Sequence, residues 1–274
     1  MQWLRRFISR AEKADANVLA MPIPPDRFAA LRPDDQFIVS FPRSGNTWTR
    51  HLMRDVIVLS HPEQSEPESI WMLIPDVHIP AHEMEHTAQK EYGIRRRILK
   101  SHHLEKLGGF RMLYIFRNPA DTLVSYYHFH RLQNAKYHQM REGLAPFCEY
   151  MLEGWCAHVE CALGYLARTP DETLFISYES LAKNGHETLT RAASFLGIAA
   201  TPAVIAKALE RNAFARLREK EERRHAGATE FFFRKGQIGS AAGELDSATH
   251  TRIMERANPV YEKAQRAALE AASN

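Results

Sequence analysis

Gln36-Phe-Ile-Val-Ser-Phe-Pro-Arg-Ser-Gly-Asn-Thr-Trp-Thr49 carries the pattern that decides the fold. Its short apolar run, Phe37 to Val39, reads as a buried strand. The run breaks at Pro42, passes through Arg43, Ser44, Gly45, Asn46 and Thr47, and enters a helical pattern with apolar Trp48, Leu52, Val56 and Leu59. A strand that turns sharply onto a helix N-terminus makes an anion site. Unbonded backbone N–H groups point out of the turn, and the helix dipole adds positive potential. Gly45 lets the backbone come close to an anion. Ser44 and Thr47 add hydroxyl donors, and Arg43 adds a fixed charge. The loop is built to hold a phosphate or a sulfate. It lacks the first Gly and the Gly-Lys pair of G-x-x-x-x-G-K-[ST], which argues against ordinary Mg-ATP chemistry.

Working outward, Arg111-Met-Leu-Tyr-Ile-Phe-Arg-Asn-Pro-Ala-Asp-Thr-Leu-Val-Ser-Tyr-Tyr-His-Phe129 repeats the same grammar. Met112 to Phe116 is a strand, Arg117-Asn118-Pro119 a turn, and a helix runs on from Asp121. With the helix starting near Pro119, Arg117 and Ser125 both face its N-terminal end and can hold one anion. Two anion sites at two strand ends imply a ligand with two separate charged groups. Further on, Phe231-Phe-Phe-Arg-Lys-Gly-Gln-Ile-Gly239 sets Arg234 and Lys235 beside two glycines, a basic loop. A solvated charge pair beside a turn is its plainer reading.

Together the three segments, in this order and at these separations, resemble the cytosolic-type sulfotransferases that use 3′-phosphoadenosine 5′-phosphosulfate (PAPS). The likeness spans about residues 36 to 240. Pro42-Arg-Ser-Gly-Asn-Thr-Trp48 is similar to that family's 5′-phosphosulfate loop. Arg117 to Tyr127 is similar to its 3′-phosphate segment, and Phe233-Arg-Lys-Gly-Gln-Ile-Gly239 to its late R-K-G-x-x-G loop. The resemblance implies transfer of a sulfuryl group from PAPS to a hydroxyl or amine of an acceptor, with adenosine 3′,5′-bisphosphate (PAP) as product and no metal. It places the donor on Arg43, Ser44, Gly45, Asn46, Thr47, Trp48, Arg117, Ser125, Tyr178, Phe214, Phe233, Arg234, Lys235 and Gly236. Within that set Trp48, Tyr178 and Phe214 line the adenine, although Trp48 reads equally as a core aromatic.

The catalytic base falls in Arg97-Ile-Leu-Lys-Ser-His-His-Leu104, where Lys100-Ser101-His102 matches the family's K-[ST]-H segment. The resemblance assigns the base to His102, and histidine suits because its pKa lies near neutrality. Alternation at a strand end would turn the His103 ring to the opposite side. Lys100 is a candidate for the sulfonyl oxygens. Arg43 stands where the family usually has Lys. It can stabilise charge on the bridging oxygen but cannot donate a proton. Ser125 is expected to meet both the 3′-phosphate and a basic side chain. After Gly239 the family often continues Asp-Trp-Lys, whereas this chain reads Ser240-Ala-Ala-Gly243, which implies a looser lid. The family's C-terminal dimer motif is not visible, so the oligomeric state stays open.

Length and composition agree with an α/β fold in one domain. The 274 residues suit one core, and 45% hydrophobic with 25% charged residues is ordinary for a globular chain. Further strands are expected at Arg97 to Lys100 and Leu174 to Ser177. Helices are expected over Leu144 to Leu166 and His186 to Leu196, and from Thr201-Pro202. Alternating strands and helices give a parallel sheet flanked by helices, with ligands at the strand carboxyl ends. Residues 1–35 read as an N-terminal docking segment, 36–240 as the core and 241–274 as a C-terminal helical segment. A net charge of +3 is too small to imply nucleic acid. No apolar run approaches the ~20 residues of a membrane span. Met1 to Arg10 lacks a signal peptide's apolar core, and Cys148, Cys156 and Cys161 read as helix-buried thiols, which favours the cytoplasm.

Residues 60–92 read as an irregular insert over the sheet that shapes an acceptor pocket or simply packs on the surface. Trp71, Met72, Leu73, Phe147 and Trp155 are candidates for an apolar lining, suited to a small alcohol, an amine or a saccharide. His82-Glu-Met-Glu-His86 fits H-E-x-x-H, the zinc peptidase pattern. That alternative needs a third ligand, and His78 serves only if the helix runs back through Pro80. A nucleotide kinase would need a P-loop lysine and metal-holding carboxylates. A non-catalytic nucleotide-binding module would have no use for Lys100 and His102.

Overall fold

The computed structural model describes residues 25–78, 87–104, 107–132, 141–224 and 236–273. A short helix α1 (Pro25–Ala29) leads into β1 (Gln36–Ser40), and α2 (Asn46–Ser60) follows at once. Next come α3 (Ile70–Leu73), β2 (Ile98–Ser101), β3 (Arg111–Phe116), α4 (Pro119–Leu132), α5 (Leu144–Arg168) and β4 (Thr173–Ser177). The chain ends through α6 (Tyr178–Lys183), α7 (Gly185–Phe195), α8 (Pro202–Arg211), α9 (Phe214–Arg224) and α10 (Ser247–Ser273). The four strands form one parallel sheet in the order β2-β1-β3-β4.

Alternation along each strand splits the core in two. Phe37, Val39, Met112, Tyr114, Phe116 and Phe175 face one layer, which α4, α5 and α10 cover with Leu123, Trp155 and Ile253. Ile38, Leu113, Ile115, Leu174 and Ile176 face the other, covered from α2, α7 and α8 by Leu52, Val56, Leu189 and Ile205. A strand buried on both faces reads as an unbroken apolar run, which is why these strands stand out in the sequence. The helix signals also hold locally. Thr201 Oγ1 accepts from Val204 N at 3.3 Å with Pro202 in the first turn. Asn118 Oδ1 accepts from Asp121 N at 3.1 Å at the start of α4.

Four expectations change. Phe147 and Trp155 are fully buried in the sheet core, and Leu73 in the opposite layer, so none of them lines a pocket. The β2 strand spans Ile98–Ser101, one residue later than expected, although the Arg97 carbonyl still accepts from Gln36 N at 2.9 Å and its side chain is tied to Asp35 by bonds of 2.8 and 2.6 Å. The insert also does more than lie over the sheet. Asp76 forms a parallel bridge to Lys100, with Lys100 N donating to Pro75 O at 2.8 Å. Gln89 donates through Nε2 to Ile98 O at 2.8 Å and accepts from Ile98 N at 2.7 Å. The insert thereby covers the outer edge of β2, which would otherwise present unpaired backbone groups. Of the three thiols only Cys148 is buried.

Candidate functional site

The strand order makes the site. β1 connects outward to β2 and β3 outward to β4, so the chain reverses direction between the adjacent strands β1 and β3. Ligands of open parallel sheets bind in the crevice beyond the carboxyl ends at such a point. Both loops singled out in the sequence leave from these two ends.

After β1 the backbone takes positive φ at Arg43 (68°) and Gly45 (104°). Gly45 is required twice, since a Cβ there would also lie 2.8 Å from Tyr178 Cδ2. The first bond inside α2 runs from Thr49 N to Gly45 O at 3.0 Å, so the amides of Asn46, Thr47 and Trp48 have no partner within the helix. The buried Ser44 Oγ and Asn46 Oδ1 are unpartnered as well. Among these groups the unbonded amides at the start of α2 are donors that line the cavity, and they suit a group that accepts hydrogen bonds.

Arg43 turns toward the second loop. Its Nε donates to Ser125 Oγ at 3.2 Å, and its guanidinium rests 5.1 Å from the Phe129 ring centre. Arg117 lies 4.4 Å over the Tyr178 ring, donates from Nη2 to Gln237 O at 3.1 Å and leaves its buried Nε without a partner. Tyr178 OH donates to Gly236 O at 3.0 Å. Gly236, at φ 62°, packs so closely on Phe214 that a Cβ would approach its ring to 2.2 Å. Trp48 Nε1 donates to Asn212 O at 2.9 Å, and its ring stands 5.3 Å from that of Tyr178.

One cavity of about 1370 Å³ joins these parts. Arg43, Gly45, Asn46, Thr47, Trp48, Lys100, His102, Arg117, Ser125, Tyr178, Phe214 and Gly236 all line it, whereas Ser44 sits behind the wall. Phe233, Arg234 and Lys235 lie outside the described residues, as do His82, Glu83 and His86. His78 is hydrogen-bonded to Asp76 at 2.7 Å, and among the described residues no three ligands group for a metal.

His102 and His103 both reach this cavity, contrary to the expected alternation. The strand stops at Ser101, whose Oγ accepts from His103 N and donates to His103 O, each at 2.8 Å. That turn curls the backbone and cancels the two-residue period. His102 Nδ1 donates to Ser40 O at 2.8 Å, which fixes the tautomer and leaves Nε2 as the lone-pair nitrogen.

A family model described as "Sulfotransferase domain" matches residues 33–265. The chain belongs to the sulfotransferase family. Human sulfotransferase 6B1 is 30% identical over 226 residues, 78% of this chain and 71% of that protein. Cytosolic sulfotransferase 16 of Arabidopsis thaliana is 26% identical over 259 residues, 83% of this chain and 76% of that protein. The fold matches that of mouse sulfotransferase SULT7A1 complexed with PAP at a TM-score of 0.62 and 21% identity, covering 86% of this chain and 89% of that one. It matches retinol dehydratase in complex with androsterone and inactive cofactor PAP at 0.65 and 21%, covering 93% and 85%. This chain is thus an enzyme of sulfuryl transfer.

The sulfotransferase site includes side chains that the motifs did not flag. Asp76 Oδ2 accepts from Lys100 Nζ at 2.5 Å in a buried ion pair. Burial alone would raise the Asp76 pKa, but the Lys100 charge and the His78 and Lys100 hydrogen bonds hold it well below the carboxylate range. Burial lowers the Lys100 pKa, opposed by Asp76. Asp121 accepts from Gly239 N at 2.7 Å and from Ala241 N at 2.9 Å. The segment after Gly239 is therefore pinned to α4 rather than loose. Behind His102, His158 Nε2 donates to His102 O at 2.8 Å, and Tyr114 OH donates to His158 Nδ1 at 2.7 Å. No motif could reveal Asp76 or His158, since each acts through a contact distant in sequence.

Burial, the largest cause, pushes the His102 pKa well below its ordinary value, and the Lys100 charge acts the same way. Burial likewise lowers His158 and His130 to about 4, the nearby His103 and Arg43 charges respectively adding to it. These rings are neutral in the folded chain, while in the unfolded chain they take up protons below about pH 6.5. Stability is therefore expected to fall as pH drops from about 6.5 toward about 4, flattening in His158→Gln, as melting temperatures across that range will show.

Proposed function

We propose that this sulfotransferase uses PAPS as donor and a hydroxyl or amine of a small molecule as acceptor, with His102 as general base. The observation that carries the reading is the shared cavity. The loop after β1, the Arg117–Ser125 segment and the His102 ring all open onto it. The 5′-phosphosulfate is assigned to the amides of Asn46 to Trp48 with Arg43, Ser44 and Thr47. The 3′-phosphate is assigned to Arg117, Ser125 and the loop of Phe233, Arg234, Lys235 and Gly236. The adenine is assigned to Trp48, Tyr178 and Phe214. The unpartnered Arg117 Nε at one end and the unbonded amides of Asn46 to Trp48 at the other support an anion at each end, since a charged ligand would accept from both.

In the proposed reaction His102 Nε2 takes the acceptor proton as the acceptor oxygen bonds to sulfur. The bond from sulfur to the bridging oxygen breaks, and its electron pair stays on the departing PAP. Arg43 and Lys100 supply positive charge where negative charge develops, the kind of term that dominates group transfer between anions. The guanidinium of Arg43 is too weak an acid to give up a proton at neutral pH, so the leaving phosphate departs as the anion.

The span of the family model, residues 33–265, supports one catalytic domain. Among the described residues no helix is long and apolar enough to cross a membrane, and a relative is named cytosolic, which supports a cytoplasmic enzyme. Retinol dehydratase, which shares the fold, is complexed with androsterone in one structure and with retinol in another, which supports small alcohols as acceptors.

Two-site anchoring is tested by ligand binding. PAP is expected to raise the melting temperature with or without chelator, and adenosine 5′-phosphate to raise it much less. Arg117→Ala removes a charge-assisted bond of about 1.5–3 kcal/mol and should weaken PAP binding by about 10–100-fold. Ser125→Ala, which removes a neutral bond, should cost less. Equal shifts from both nucleotides, or unchanged affinity in Arg117→Ala, would remove the 3′-phosphate site.

A further inference from the structure

The cavity extends beyond the proposed donor loops along α2. Thr47, Arg50, His51 and Arg54, one helical face spaced by three and four residues, all line it. From Thr47 to Arg54 this face runs about 10 Å away from the anion loop. Across from it stands the insert, with Glu66 to Trp71 on the same wall.

Arg50 is unusual on this face. Only 2% of it is exposed, yet it lines the cavity, and its buried Nε has no hydrogen-bond partner. An Nη2 bond to the Ile74 carbonyl holds the guanidinium in place. Among the described residues no carboxylate lies within ion-pair distance of it. The neighbouring cations are already matched. Arg54 is paired with Asp55 at 2.6 Å and Glu66 at 2.8 Å, and Lys100 with Asp76. Asp76 acts on Arg50 only through space, against a burial that lowers the Arg50 pKa to about 10. Two buried cations, Arg50 and Lys100, thus share one buried carboxylate. An uncompensated buried charge is expensive, and an anion arriving beside it relieves the cost.

Trp71 adds a flat surface. The Arg50 guanidinium lies 4.5 Å from the centre of its ring, while 49% of Trp71 stays exposed at the cavity rim. Ser69 Oγ accepts from Trp71 N at 3.0 Å and sets the start of the short α3. An indole supported by a cation beneath and open above offers a face to a planar apolar group.

We propose that Arg50 and Trp71 form an acceptor subsite selecting molecules that carry a carboxylate on an apolar, aromatic body, with the hydroxyl to be sulfated at the far end. This rests on the assignment of the cavity to PAPS and its acceptor, and it deepens that assignment by naming the acceptor's charge. The guanidinium fork matches a carboxylate with two parallel bonds, which a neutral ester or alcohol cannot supply.

The test uses two probes that differ only in that charge, 3-(4-hydroxyphenyl)propionate and its methyl ester. Each is titrated by calorimetry into the full chain saturated with PAP, so no turnover is needed. The acid is expected to bind at least about tenfold tighter than the ester. Arg50→Gln should weaken the acid about tenfold or more, move the ester less than about threefold and leave PAP affinity unchanged. Arg50→Lys keeps the charge but loses the fork, so it should retain part of the preference. It also gives the contrast if Arg50→Gln does not fold. Equal binding of acid and ester by the wild type overturns the subsite, as does no binding of either, or an equal loss of both in Arg50→Gln. If the contrast appears but PAPS sulfates neither probe, the subsite stands and the assigned reaction of the cavity falls.

Discussion

Turnover in His102→Ala is expected to drop by about 10²–10⁴-fold, while PAP affinity stays within about twofold of wild type. The ring donates through Nδ1 to Ser40 O, so Nε2 is the only nitrogen able to take a proton from an acceptor. No phosphate ligand is lost, since the proposed donor contacts come from the loop after β1, from Arg117 and Ser125, and from the loop ending at Gly236. His103→Ala supplies the control. Its ring reaches the same cavity but stands 5.3 Å from the His78 ring, and its loss should cost less than about tenfold. The pH profile adds an independent reading. Only the neutral ring accepts a proton, so the rate should rise with pH and then level. Because burial and Lys100 lower the His102 pKa, the midpoint should lie on the acid side of about 6.5. Full activity in His102→Ala with loss in His103→Ala would move the base by one residue. A midpoint above 6.5 would mean that the ring is not held as described.

The parts of this site legible in the sequence are those made by neighbours in the chain. The turn from Phe41 to Thr47 and the start of α4 each combine a strand end, a breaking residue and a helix start within a few positions, so local pattern sufficed. Tyr178 and Phe214 were reachable only through a resemblance, and they prove to meet at Gly236, one by a hydrogen bond and one by close packing. Asp76 was not legible at all. It sits among Pro, His and Glu in an insert with no period, and it gains its place from a single parallel bridge to Lys100. The His158–His102 contact spans 56 residues and joins α5 to the end of β2. No spacing rule reaches that far. The alternation expected of His102 and His103 failed for a local reason, since the Ser101 hydroxyl bonds on both sides of His103 and ends the strand.

Lys100→Met is expected to lose both stability and activity, and a second substitution separates the two. Lys100 and Asp76 are each about nine-tenths buried and in contact. Removing the lysine leaves an ionised carboxylate with His78 beside it and Arg50 acting only through space, and breaking such a pair costs about 3–5 kcal/mol. Replacing both partners with apolar groups is often nearly neutral, so Lys100→Met combined with Asp76→Leu should recover part of that stability, the rest being lost because Arg50 no longer has Asp76 near it. Turnover should behave differently. If the ammonium stabilises the sulfuryl oxygens in the transition state, its loss costs about 10²–10³-fold in rate whether or not the fold is repaired. The double variant should therefore melt well above Lys100→Met, short of wild type by what Arg50 loses with Asp76, and remain slow, with PAP affinity largely retained. Recovery of the rate along with the stability would make Lys100 a structural partner of Asp76 alone, and positive charge at the reacting group would then rest on Arg43. Asp76→Asn offers the reverse cut. It frees Lys100 from its counter-charge, leaves the positive charge nearest His102 unbalanced, and should shift the rising limb of the pH profile further toward acid.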